Sequence, residues 1–146
     1  MWRLKTSILR HKFVDLIPDQ LEGGVLYICE RYGTAIHKCF CGCGEEVVTP
    51  LSPVEWSLHK MGNKVSLHPS IGNWSFVCRS HYWIRKNRVV WAGALTESQI
   101  EYIKDRDKVD REAFIAKMNA QKTARKSVWA KVAAFLRIFW DRVQKN

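Results

Sequence analysis

The stretch His37-Lys38-Cys39-Phe40-Cys41-Gly42-Cys43-Gly44 places three cysteines within five residues. A fourth, Cys78, follows much later in the chain. Thiolates at this spacing suit one soft metal ion, because Zn²⁺ takes four ligands tetrahedrally and favours sulfur. The two glycines allow the backbone to turn tightly enough for successive cysteines to face one ion. The stretch therefore predicts a metal site that joins two distant parts of the chain.

The predicted ligands are four thiolates around a structural zinc ion: Cys39, Cys41, Cys43 and Cys78. Four protein ligands fill a tetrahedral site and leave no position for an activated water. A rival set replaces one cysteine by His37 or His81, and the plain alternative is a group of free thiols in a core. Cys29 stands in an apolar run and is predicted to be a small buried residue.

The composition predicts a folded globular chain with acidic partners. Of the 146 residues 47% are hydrophobic, and seven are tryptophans. The formal net charge of +10 favours nucleic acid, an anionic membrane or an acidic protein as a partner. The N-terminus has no signal-peptide pattern, and no apolar run reaches the roughly 18 residues of a membrane span. We therefore expect a cytoplasmic protein, in which clustered cysteines more often bind metal than form disulfides.

Residues 12–92 read as short apolar or alternating runs broken by turn residues, a pattern typical of β-structure. Predicted strands include residues 13–17, 25–29, 34–37, 46–49, 56–59, 64–67, 74–78, 82–84 and 89–91. Met61-Gly62-Asn63 is predicted to be a hairpin turn. The aromatic residues interleaved with arginine and lysine over residues 74–91 fit either a β core or base stacking, and we favour the core.

The sequence pattern becomes typical of a helix after residue 94. Thr96 and Gln99 fit a capping box, which predicts one helix to about residue 107 and a second from about 109 to 143. An apolar stripe at helical spacing follows, with basic residues around it: Val128, Val132, Phe135, Leu136, Phe139 and Val143. The fold class is therefore α+β. A small, mainly antiparallel β domain with a zinc site (1–95) precedes a basic amphipathic helical tail (96–146), which would bind a partner protein or an anionic surface.

Two serine–histidine combinations could perform covalent acyl transfer. If the strand of Cys39 ran antiparallel to that of Cys78, with these cysteines opposite each other, His37 would face Ser80. The metal would then hold a base beside a hydroxyl nucleophile. Ser80 could instead be a donor to a zinc thiolate.

Ser70 is the second possible nucleophile, with His81 or His68 as its base. It lies in a turn bounded by proline and glycine, where backbone amides could form an oxyanion site. It could also be a turn residue that bonds its own backbone. No acid stands out as the third member of a catalytic triad; Glu30 and Asp15 are the candidates.

The motifs themselves resemble a bacterial domain family encoded beside ubiquitin-like conjugation genes. The first motifs are Phe13-Val14-Asp15 with Ile17-Pro18, then His37-x-Cys39-x-Cys41-Gly42-Cys43-Gly44 and Trp56. The later motifs are Leu67-x-Pro69-Ser70-Ile71-Gly72-Asn73-Trp74 and Cys78-Arg79-Ser80-His81-Tyr82-Trp83-Ile84. The resemblance covers about residues 12–92. It implies a zinc-containing peptidase that uses serine chemistry and that matures a ubiquitin-like protein or removes it from targets. His37, Ser70, Ser80 and His81 match the family's polar positions, and the four cysteines match its metal positions.

Three functions follow, in order of preference. The first is a serine hydrolase that acts on a ubiquitin-like protein and its conjugates, with zinc in a structural role. The second is a zinc-stabilised binding module without catalysis, which docks a protein or nucleic acid. The third is metal-activated hydrolysis by a zinc ion with three ligands and a water.

Overall fold

A computed structural model describes residues 5–143, with the side chains at 139 and 141–143 excepted. It contains two four-stranded sheets and one long helix. The first sheet has the order β1-β2-β3-β4, with strands Arg10–Phe13, Val25–Cys29, Thr34–Lys38 and Glu46–Pro50. The second has the order β5-β6-β7-β8, with strands Ser57–Met61, Lys64–Gly72, His81–Arg85 and Arg88–Trp91. The helix α1 runs from Glu97 to Val143.

The sheets confirm the predicted α+β class and its mainly antiparallel character. Every strand pair is antiparallel except β1 with β2, which is parallel. Gly62 takes a left-handed conformation in the β5–β6 hairpin, and Lys86 and Asn87 do so between β7 and β8. These conformations close tight turns that match the twist of the strands.

One apolar core draws side chains from both sheets. In β7, Tyr82 and Ile84 are buried while the alternate residues face outward. Strand β2 is buried along its whole length, because its Val25 and Tyr27 pack with Leu21 in a second, smaller apolar cluster. Cys29 is buried and free, as predicted.

Three local predictions are wrong. The first strand is Arg10–Phe13 rather than 13–17, because its partner is the parallel strand β2. Residues 74–78 form turns between β6 and β7 instead of a strand. The two predicted helices are one continuous helix, since no glycine or proline interrupts residues 97–143.

The start of α1 confirms the capping box. The backbone N–H of Gln99 donates to Thr96 Oγ1 at 3.3 Å, and the N–H of Thr96 donates to Gln99 Oε1 at 2.9 Å. The chain divides into two compact units, one up to Asp105 and one from Arg106 onward. Within the described residues, no helix is both long enough and apolar enough to cross a bilayer.

Candidate metal centre and serine–histidine pair

The four cysteines of the predicted metal site lie together. Their sulfur atoms are all within 4.8 Å of one another. Cys39 and Cys41 Sγ are 3.3 Å apart, Cys43 and Cys78 Sγ 3.7 Å, and Cys39 and Cys78 Sγ 4.0 Å. A tetrahedral ion with metal–sulfur bonds of about 2.3 Å requires sulfur separations of about 3.8 Å. The group therefore has the chemistry and the size to hold a metal ion.

A tight turn after β3 presents three of these sulfurs. The N–H of Cys39 donates to the carbonyl of Glu45 at 2.7 Å, and the N–H of Gly42 donates to the carbonyl of Cys39 at 3.0 Å. Gly42 and Gly44 both have positive φ angles, which a side chain would disfavour. The fourth sulfur comes from the loop between β6 and β7, so the site joins the two sheets.

The cysteine thiols are not equivalent. Burial would raise the pKa of Cys78, but hydrogen bonds from Ser80 and the neighbouring cysteines lower it to about 7. Burial raises the pKa of Cys41. Since a metal binds the thiolate, the lowered pKa of Cys78 favours metal binding at this sulfur.

Ser80 belongs to the surroundings of this sulfur cluster. Its hydroxyl oxygen lies 3.1 Å from Cys39 Sγ and 3.5 Å from Cys78 Sγ. Asn73 Nδ2 donates to that oxygen at 2.8 Å, and only 7% of the Ser80 surface is exposed. A hydroxyl in this position is suited to donate to a thiolate.

His37 lies elsewhere in the core. It is fully buried, stacks on Phe40, and its Nε2 lies 2.9 Å from the hydroxyl of Tyr82. Burial lowers the pKa of His37 to about 3, so the ring is neutral at physiological pH. No hydrogen bond joins it to Ser80 in the described part of the chain.

The strand pairing proposed for His37 and Ser80 is wrong. Strand β3 pairs with β2 and β4, where Leu26 and Val47 face His37. Ser80 immediately precedes β7, which belongs to the other sheet. The sulfur cluster joins the two segments across the core, and no ladder of hydrogen bonds connects them among the described strands. Neither His37 nor His81 joins the sulfur group, as the rival ligand set would require.

Ser70 and His81 are in contact. The hydroxyl oxygen of Ser70 lies 2.9 Å from Nε2 of His81, and both residues are half-buried. Strand β6 shifts register on β7 between Leu67 and Ile71, and Ser70 lies in this irregular segment. Beyond it Gly72 pairs with His81. The bulge therefore takes Ser70 out of the regular ladder and keeps its hydroxyl beside the imidazole.

Two tryptophans flank the His81 ring. The ring centroids of Trp74 and Trp83 lie 5.0 Å and 5.5 Å from that of His81. Burial lowers the pKa of His81, and the Gly93 backbone partly opposes this shift. Among the described residues, no side chain bonds the other ring nitrogen, Nδ1. The pair is therefore a serine–histidine dyad without an orienting carboxylate.

Neither of the two acids considered as third members bonds His81 in the described part of the chain. Glu30 forms an ion pair with Lys60, with Oε1 and Nζ 2.6 Å apart. The backbone carbonyl of Asp15 accepts a hydrogen bond from the Cys29 thiol.

The sequence analysis did not identify Asn73 and Tyr82 as site residues, although both lie beside Cys39 Sγ. Trp83 could have been found, since it lies two residues from His81 and shares its face of the strand.

The sequence of this region matches a known family. A family model described as bacterial ubiquitination-like system serine protease (BubE) matches residues 13–92. The chain belongs to the BubE family. No curated protein and no solved structure matches it. The resemblance to a family of bacterial ubiquitin-like systems is confirmed, and the BubE segment contains both the sulfur cluster and the Ser70–His81 pair.

Proposed function

We propose that the chain is a serine peptidase that cleaves a bacterial ubiquitin-like protein from a precursor or from its conjugates. The observation that carries the proposal is the 2.9 Å contact between Ser70 Oγ and His81 Nε2. It lies within the segment that matches a serine protease family of a ubiquitination-like system. A hydroxyl beside a neutral imidazole is the arrangement that nucleophilic catalysis needs.

In the proposed reaction, Ser70 Oγ attacks the scissile carbonyl carbon while its proton moves to Nε2 of His81. The imidazolium then protonates the leaving amine as the carbon–nitrogen bond breaks, which leaves an acyl-serine. A water gives a proton to His81 and attacks the ester, and that proton returns to Ser70 as the acid product leaves. Backbone amides near the β6 bulge are the proposed oxyanion donors.

The substrate would lie on the outer face of the second sheet. A groove of about 530 Å³ opens there, and its walls include His68, Trp83 and Arg85. Trp83 also packs on His81, so the groove adjoins the proposed dyad. An extended polypeptide could follow this groove to the serine.

The proposed metal is a structural zinc ion bound by Cys39, Cys41, Cys43 and Cys78. Four thiolates would saturate its tetrahedral coordination, so the ion would bind no reacting water. Its role would be to hold the loop that precedes β7, the strand on which His81 lies. The same free thiols favour a cytoplasmic location.

The test is cleavage of a bacterial ubiquitin-like protein fused at its C-terminus to a reporter. Ser70→Ala and His81→Gln should each lower kcat by at least about 1000-fold. Ser75→Ala is the matched control, because Ser75 is exposed in the loop after β6 and does not line the groove, so the rate should be unchanged. A serine-directed phosphonate should label Ser70 in the wild type.

Equal cleavage by Ser70→Ala and wild type would refute the serine mechanism. Loss of cleavage in Ser80→Ala with full zinc content, together with labelling of Ser80, would transfer the role to that residue. Absence of both cleavage and labelling would favour the second function, a zinc-stabilised binding module.

A further inference from the structure

The distal part of α1 carries an exposed apolar stripe. At about 100° per residue, six large side chains fall within an arc of roughly 140°: Val128, Trp129, Val132, Phe135, Leu136 and Trp140. Each is exposed, from 42% for Val132 to 70% for Phe135. The stripe is about 18 Å long. The predicted members Phe139 and Val143, and the nearby Arg142, have side chains outside the described residues.

The charge around this stripe is mostly positive, and the one acid between Glu112 and the last residue of the sequence is Asp141. Residues 113–140 contain no aspartate or glutamate and six basic residues: Lys117, Lys122, Arg125, Lys126, Lys131 and Arg137. Lys131 lies about 40° beyond Phe135 at one edge, and Lys126 about 40° beyond Trp140 at the other. Cations therefore border the apolar stripe on both sides, a pattern that suits a partner with an anionic surface and an apolar interior.

We propose that this stripe docks on an anionic phospholipid surface, with α1 lying parallel to the bilayer. The apolar side chains would enter the acyl region while the bordering cations contact lipid phosphates. Trp129 and Trp140 fall at one margin of the stripe, the position that indole rings take at the headgroup level. This inference does not depend on the proposed peptidase activity.

The other occupants fit the charges less well. Two copies of the stripe packed together would bring cations against cations, with no acid in residues 113–140 to offset them. A nucleic acid would engage the cations but leave the apolar stripe between them exposed to water. A lipid surface satisfies both.

The experiment is flotation of the full chain with vesicles of phosphatidylcholine alone or with about 30% phosphatidylglycerol. We expect binding to the anionic vesicles only, with an affinity that falls as salt rises. Val132→Ser with Phe135→Ser should weaken it by at least about tenfold. Lys126→Gln with Lys131→Gln should weaken binding and reduce the salt dependence.

Ile138→Ser is the matched control. Ile138 is 57% exposed, as the stripe residues are, but lies outside the stripe beyond Lys131. It should bind the anionic vesicles as the wild type does, and circular dichroism should show equal helix content in all variants. Undiminished binding by the stripe variant would overturn the proposal. Oligonucleotide binding or dimerisation in the absence of vesicle binding would also overturn it.

Discussion

In the proposed mechanism, His81 must be neutral to take the proton of Ser70. Burial lowers the pKa of His81 below its ordinary value of 6.5, so the neutral form persists to lower pH. We therefore expect the acid limb of the kcat/KM profile to have its midpoint below pH 6.5. The measurement is the cleavage rate of the reporter fusion between pH 4.5 and 8.

Acid also protonates thiolates, so the zinc content and near-ultraviolet circular dichroism are recorded at each pH as a control. The prediction holds if the rate falls while both stay constant. A midpoint above pH 6.5 would show that His81 is not the base.

Ser80 is expected to act on the metal and not on the substrate. Removing its hydroxyl deletes a donor beside Cys39 and Cys78. Ser80→Ala should therefore lower zinc affinity by about 10- to 100-fold, measured by competition with a chromophoric chelator. With zinc in excess, its cleavage rate should stay within about twofold of the wild type. Ser75 is an exposed residue in the same loop, and Ser75→Ala should alter neither the zinc affinity nor the cleavage rate.

At the scale of elements, the bulged strand β6 holds the proposed nucleophile against β7. Gly72 matters because a Cβ there would clash with the indole ring of Trp74, which flanks His81. Gly72→Ala must move this ring, at a cost of about 1–3 kcal/mol. We expect kcat/KM to fall by roughly tenfold or more while the sheets remain folded.

Gly23→Ala is the matched control, since a Cβ at Gly23 meets nothing within 4 Å and its φ is not in the left-handed region. Thermal unfolding and steady-state cleavage of both variants provide the comparison. Wild-type cleavage by Gly72→Ala would mean that the position of Trp74 is unimportant for catalysis.

At the scale of the whole molecule, the sulfur cluster joins the turn after β3 to the loop before β7. Removing the proposed metal would leave four thiols together where the two sheets meet, and only the apolar core would hold them. We expect a chelator to lower Tm by at least roughly 10 °C, because the ion contributes several kcal/mol. Activity and fold should be lost together.

The measurement follows Tm, cleavage and released zinc in parallel during chelation. The matched control repeats it after zinc is restored, which should recover both properties. Cleavage lost while Tm stays unchanged would instead favour a metal that binds the reacting water.

Local sequence alone determined the features that depend on near neighbours. The run from His37 to Gly44 predicted the sulfur cluster, because glycines and closely spaced thiols specify a tight metal-binding turn. Alternation predicted most strands, and Thr96 with Gln99 predicted the helix start. Only the tertiary structure decided which hydroxyl meets which imidazole. That pairing depends on a register shift in β6 and on the placement of β3 and β7 in different sheets, which no local pattern encodes.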